Sequence, residues 1–228
     1  MTRAATESEL PDPTETREGE FAKSGRTRRR ILDAAILCLA EEGYKRLSTS
    51  AVAARAGLSR AAMLYHFPSR RDLVEALVWH LIRRRVDMYE EAVSSIPHDG
   101  NFRARAVDLA WESLETPEFA AFIELSLAAR TEAELAEVMP PALAAFEAAR
   151  REAAKRIFPD GIIGQQDVDL GRDVVRYLSE GVMQQGGIVE NGAFRTAALR
   201  HFLRRLVASE AGARLLRETL DDLQEGQP

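Results

Sequence analysis

Residues 48–72 read STSAVAARAGLSRAAMLYHFPSRRD, and this stretch decides the fold. Its spacing predicts two short helices, 49–56 and 60–66, joined by a tight turn at Ala56-Gly57-Leu58. Ser48 and Ser59 each stand just before a helical run, where a side-chain oxygen can accept a hydrogen bond from a helix N–H that has no partner of its own. Gly57 suits a turn in which a side chain would strain the backbone. Val52, Ala53 and Ala56 form the inner face of the first helix, and the alanines let a neighbouring helix come close. Leu58, Met63, Leu64 and Phe67 supply further packing groups. Pro68 stops the second helix. Ser69 and Asp72 then form an S-x-x-D capping box that opens a long helix to about residue 94. Two such helices across a tight turn can seat the second in the major groove of DNA.

Upstream, Ile31, Ala34, Ala35, Cys38 and Leu39 recur at three- and four-residue spacing and predict one helix over 26–41 that ends at Gly43. Cys38 falls on the apolar face, as a buried group rather than a nucleophile. Residues 1–22 are polar and rich in Glu and Pro, and read as a disordered tail. Charge divides the chain in the same places. Residues 1–20 carry −4, residues 23–71 carry eleven basic against three acidic side chains, +8, and the remainder carries about −9 of the net −5. A basic head on an acidic body is drawn to a phosphate backbone by one end only.

Downstream, helical patterns cover 102–114, 117–130, 132–157, 168–185, 193–209 and 213–223, with breaks at 98–100, 116–117, 159–161 and 186–187. No strand-rich stretch or internal repeat interrupts them. The fold class is therefore all-α: a disordered tail (1–22), an N-terminal three-helix helix-turn-helix domain (23–71), and a helical body for effector binding and dimerisation (72–228). One cysteine and four histidines give no disulfide framework and no metal pattern, so no metal and no cofactor are expected. There is no apolar run of about 18 residues and no apolar leader, so no membrane partner and a cytoplasmic setting are expected. Paired catalytic carboxylates, a glycine-rich phosphate loop and a nucleophile elbow are all missing, which argues against an enzyme.

The order T-R-x-x-I-L-x-A-A at 27–35, E-G-Y at 42–44, A-x-x-A-G-L-S at 53–59 and Y-H-F-P-S-x-x-x-L at 65–73 resembles the tetracycline-repressor family of transcriptional regulators. The stretch LSLAARTEAEL at 125–135 is similar to a segment of the ligand domain in many members. The resemblance implies a homodimer that binds a palindromic operator through its N-terminal helices and a small-molecule effector through its body. By position, it places Ser59 and Arg60 at the start of the recognition helix, Ala61 and Ala62 on its DNA-facing turn, Tyr65 and His66 near its end, and Arg70 at the start of the next helix. The chain departs from the family pattern at Leu64, where an aromatic phosphate contact is usual; Tyr65 is the candidate replacement.

The DNA-binding candidates are thus Arg28, Ser48, Thr49, Ser50, Ser59, Arg60, Ala61, Ala62, Tyr65, His66 and Arg70. Alanine touches a thymine methyl but donates nothing, so base reading falls to Arg60, to Thr49 or Ser50, and to DNA shape. The effector, expected to be partly apolar, would meet Trp111, Phe119, Phe122, Leu125, Met139 and Phe146, with Phe158 as a further apolar candidate. Glu124, Arg130 and His80 are candidates to orient it, and a filled core is the competing reading. Two stripes suit a dimer face: Tyr177, Leu178, Gly181, Val182 and Gln185, and Phe194, Ala198, His201, Phe202 and Arg205. The expected function is ligand-responsive repression, with release of DNA on effector binding. An architectural protein without an effector pocket, an activator of the same fold, and a small enzyme that keeps the head remain as alternatives.

Overall fold

A computed structural model of the chain describes residues 10–16, 18–97, 102–157, 165–185 and 187–225. The sequence breaks at 98–100 and 159–161, Phe158 and residues 1–9 of the tail lie outside the described residues. Among the described residues the chain forms ten α-helices: α1 (Ala22–Glu42), α2 (Thr49–Arg55), α3 (Arg60–His66), α4 (Arg70–Ser94), α5 (Phe102–Ser113), α6 (Pro117–Ala128), α7 (Ala133–Ile157), α8 (Gln165–Gln185), α9 (Gly192–Ala208) and α10 (Glu210–Glu225). A 3₁₀ turn, Tyr44–Arg46, joins α1 to α2. The all-α class and the N-terminal helix-turn-helix are as the sequence implies.

The helices form two compact units. The first comprises residues up to 89 together with 117–152. Here α1 packs on α6 as well as on α2 and α3. Ile31, Leu32, Ala35 and Leu39 of α1, Leu73, Leu77, Leu81 and Ile82 of α4, Leu125 of α6 and Leu135 of α7 are almost wholly buried. Their three- and four-residue spacing gives each helix one apolar face, and removing those faces from water is the main driving force for the assembly. Cys38 lies among them at 2% exposure.

Polar ties run through the same unit. His80 Nε2 of α4 lies 2.8 Å from Asp33 Oδ1 of α1. Arg84 reaches the same oxygen at 3.3 Å and donates from Nε to Glu118 of α6 at 2.9 Å. α7 continues through Pro140 and Pro141. Neither proline has an N–H to donate, so two consecutive ladder bonds, to the carbonyls of Ala136 and Glu137, are missing. All four residues are exposed, so water can serve those carbonyls.

The second unit comprises residues 90–116 and the chain from 153. Within it α9 packs on α5, α8 and α10, and α8 packs on α5 and α10. Leu203 is fully buried, and Arg200 and Arg204 of α9 both pair with Asp108 of α5, at 2.7 and 2.8 Å.

Residues 10–16 and 18–21 are a strap against the first unit, where the sequence reads as a structureless tail. Thr14 is buried, and its N–H and hydroxyl both donate to Asp12 Oδ1, at 2.8 and 2.7 Å. Arg28 and Arg83 supply the anchors. Composition alone misses this arrangement because half of what holds the strap is backbone carbonyls, of Leu10, Pro13 and Glu15, which every sequence has.

Candidate nucleic-acid interface

The helix-turn-helix is built from local chemistry. Ser48 Oγ accepts from Ala51 N at 3.1 Å, and Ser59 Oγ accepts from Ala62 N at 3.1 Å, so both serines are N-caps. Each hydroxyl hydrogen is left to donate outward. Gly57 has φ 64°, the left-handed conformation that a side chain disfavours, and Leu58 N–H closes the turn onto Ala53 O at 2.9 Å. Ser69 N–H donates to Asp72 Oδ2 at 2.9 Å and Asp72 N–H donates to Ser69 Oγ at 3.1 Å, completing the capping box.

These constraints roll α3 so that Met63 is fully buried while Ser59, Arg60 and Ala61 are exposed and Ala62 is half-buried. Tyr65 is 76% exposed, with its ring edge-on to His66 at 5.1 Å between centroids. On α2 Ser50 is exposed and Thr49 half-buried. Eight of the eleven DNA candidates, Thr49, Ser50, Ser59, Arg60, Ala61, Ala62, Tyr65 and His66, therefore sit at least partly open on α2, α3 or the α3 cap. Ser48 is exposed at the α2 cap, and His66 is half-buried. Burial pushes the His66 imidazole below its ordinary pKa; the nearby Arg28 charge lowers it further and Glu20 opposes both.

Two expected DNA contacts point elsewhere. Arg28 is only 3% exposed. It donates from Nε to Pro13 O at 3.1 Å, from Nη1 and Nη2 to the Glu20 carboxylate at 3.2 and 2.9 Å, and to the Glu15 carbonyl. Arg70 is also drawn inward. Its Nε donates to Leu47 O at 3.2 Å, its Nη1 donates to Tyr44 Oη at 3.1 Å and pairs with Glu134 of α7, and its guanidinium lies 4.6 Å from the Tyr44 ring centre. Tyr44 Oη also donates to Glu134. Burial and the Glu134 bond together raise the phenol pKa well above its usual value. Both arginines are structural ties in this conformation because a carboxylate and carbonyls nearby offer what a phosphate would.

The body residues are buried rather than open. Phe119, Phe122, Leu125, Met139 and Phe146 are interior to the first unit, and Trp111 is buried in the second. Sequence reasoning missed Arg85 and Arg150. The Arg85 guanidinium lies 3.6 Å from the Phe122 ring centre and 5.0 Å from that of Phe146, while Arg150 lies 5.5 Å from Phe146 and 5.6 Å from Tyr89. Ring faces can hold such cations inside a helical core. Of the orienting candidates, Glu124 accepts from Tyr44 N–H at 3.2 Å, His80 is bonded to Asp33, and Arg130 is exposed. Among the described residues no group of His, Cys, Asp or Glu is arranged to hold a metal ion, and no helix is long and apolar enough to cross a membrane.

On α8 and α9, Tyr177, Phe194 and Phe202 are 61%, 75% and 55% exposed, and Ile188, in the turn between the two helices and absent from the sequence expectation, is 79% exposed. Gln185, Ala198, His201 and Arg205 are also exposed, and Leu178, Gly181 and Val182 are half-buried. The last three, with Tyr177 and Gln185, line a groove of about 210 Å³ between the two helices.

Comparison with known proteins bears on this geometry. Residues 31–77 match the profile of bacterial regulatory proteins of the tetR family. An uncharacterized HTH-type transcriptional regulator of Mycobacterium bovis is 30% identical over 128 residues, 56% of this chain and 66% of that protein. The match thus spans just under two thirds of that relative's length. A TetR-family transcriptional regulator from Rhodococcus sp. shares the fold with a TM-score of 0.58 at 22% identity, covering 81% of this chain and 100% of that one. Salmonella enterica GusR does so with 0.57 at 21% identity, covering 80% and 93%.

Proposed function

We infer, for a chain that belongs to the tetR family of bacterial regulatory proteins, that it is a homodimeric, ligand-responsive repressor of transcription. The observation that carries this reading is the exposure of Arg60, Ala61 and Tyr65 on α3, a helix capped and rolled by Ser59 and Met63 on a head of charge +8. Arg60 is exposed and forms no ion pair among the described residues, so it is available to a guanine edge or a phosphate. Ala61 and Ala62 offer thymine methyls only apolar contact. Leu64 is half-buried, and exposed Tyr65 takes the phosphate contact in its place.

Pairing through α8 and α9 of two copies buries the exposed Tyr177, Phe194 and Phe202 in a four-helix interface and sets two heads on successive major grooves, about 34–36 Å apart. A partly apolar effector enters the interior of the first unit around Phe119, Phe122, Leu125, Met139 and Phe146. It releases DNA to the extent that it prefers a head spacing unlike that of the operator complex.

Selection of bound sequences from a random duplex library, at stated salt, tests the reading. A palindromic consensus, lost in the Arg60→Ala/Tyr65→Phe double variant, is the expected result. No enrichment at any salt concentration would refute sequence-specific regulation by this chain on its own.

A further inference from the structure

The acidic strap formed by residues 10–16 and 18–21 lies against α1 and α4. Its two anchors are arginines. Arg28 is 3% exposed and meets the strap through Pro13 O, Glu15 O and both oxygens of Glu20. Arg83 donates to Leu10 O at 2.7 Å, with Asp12 Oδ2 at 3.6 Å from its Nη2. The fork formed by Arg28 on Glu20 is the geometry in which an arginine grips a phosphate.

Glu20 and Arg28 both act electrostatically on His66, the last residue of α3. Asp12 lies within the field of exposed Arg29 as well as Arg83. Burial alone would raise the Asp12 carboxyl pKa, but the Thr14 hydrogen bonds and the two arginines outweigh it and hold the carboxyl below its ordinary value. The strap is also closely fitted. A Cβ built on Gly25 of α1 would stand 2.6 Å from Thr14 O, a backbone atom, so only glycine lets the strap lie flat on the helix.

We propose that residues 10–16 and 18–21 are an autoinhibitory strap, whose Glu20 carboxylate and backbone carbonyls occupy, on Arg28, the place a DNA phosphate would take. The inference rests on the DNA-binding reading above. In the strapped form, the strap carboxylates oppose any phosphate that comes within a Debye length of them, about 10 Å at 0.1 M salt. In the released form Arg28 adds a phosphate contact, and the acidic segment moves off the head. The strap thereby suppresses sequence-independent binding, which is almost wholly electrostatic, more than it suppresses reading of an operator.

Two point variants in the full-length chain test this. Gly25→Ala pushes on the strap while favouring α1, because alanine is the better helix former. Glu20→Gln removes the carboxylate charge and leaves the carbonyl anchors in place. Each is titrated with a random-sequence 30-base-pair duplex across a salt series, with circular dichroism as the check on folding. Gly25→Ala is expected to bind this duplex about tenfold more tightly at low salt, with the slope of log K against log salt steeper by about one. Adding Arg28→Ala should return the slope to its original value. Glu20→Gln should gain severalfold. A folded Gly25→Ala with unchanged affinity and slope overturns the proposal, as does weaker binding. If Gly25→Ala does not fold, unchanged affinity in Glu20→Gln overturns it. Failure of the unaltered protein to bind any duplex overturns the DNA-binding reading itself, whereas binding with no difference among variants removes only the strap.

Discussion

Arginine is the residue on which the reading of this chain turns. Arg28, Arg60 and Arg70 have the same guanidinium and the same basic setting, yet only Arg60 stands open. A guanidinium fork fits a phosphate, a carboxylate or a pair of carbonyls almost equally well, so residue type alone does not say which it will find. Arg28 meets partners eight to fifteen residues upstream, and Arg70 meets Glu134 sixty-four residues downstream. Neither distance leaves a periodic trace in the sequence. Asp33 shows the same remote pairing with a consequence for pH. Its burial would raise the carboxyl pKa, but the His80 hydrogen bond and the charges of Arg84 and Arg29 hold it below the ordinary value. A depressed folded value means that this contribution to stability is present above the unfolded pKa of about 3.9 and is lost as pH falls through the folded one. Asp33→Asn should therefore lower the melting temperature near neutrality and flatten its decline between about pH 5 and the acid limit. A melting curve series against pH that stays parallel to that of the unaltered protein would contradict this.

At the scale of elements, the features legible in advance are those whose causes are local. The α2–α3 turn, the Ser48 and Ser59 caps, the Ser69–Asp72 box and the stop at Pro68 each depend on groups within five residues, and each is where the spacing places it. The Ser59 cap carries more than helix stability, since α3 has only seven residues and too few internal bonds to stand without tertiary support. Ser59→Ala should cost about 1 kcal/mol in urea unfolding. It should also weaken duplex binding more than Ser48→Ala does, because the frayed end of α3 begins at Arg60. Equal loss of DNA affinity in the two variants would show that only global stability had changed. The strap is the counterexample. Nothing local marks residues 10–16 as ordered, and the one sequence signal is Gly25, whose missing side chain makes room for Thr14.

For the whole molecule, packing follows contacts that sequence order hides. The head shares its compact unit with α6 and most of α7, so α1, the first helix of the head, rests against a helix some ninety residues away in the chain. A reading that divides the chain after residue 71 catches the change in charge but not this packing, since apolar faces declare that they are buried and not against what. The same ambiguity affects the second unit, where the stripes on α8 and α9 suit an interior or an interface equally until exposure is known. With Tyr177 61% and Phe202 55% exposed, we expect Tyr177→Glu/Phe202→Glu to convert a dimer to a monomer in sedimentation while preserving helicity. A dimer that survives both charges would place the interface elsewhere. Finally, Cys38 is the single cysteine of the chain, 2% exposed on the packed face of α1, and burial pushes its thiol pKa upward, with Glu42 and Glu41 adding to the effect and Arg55 opposing it. In the closed head it is therefore both inaccessible and protonated, and an alkylating reagent can reach it only after α1 lifts from its neighbours. The native protein thus carries its own covalent clock: the rate at which Cys38 is modified, with and without DNA or a candidate effector, measures how often the first unit opens, with no introduced label.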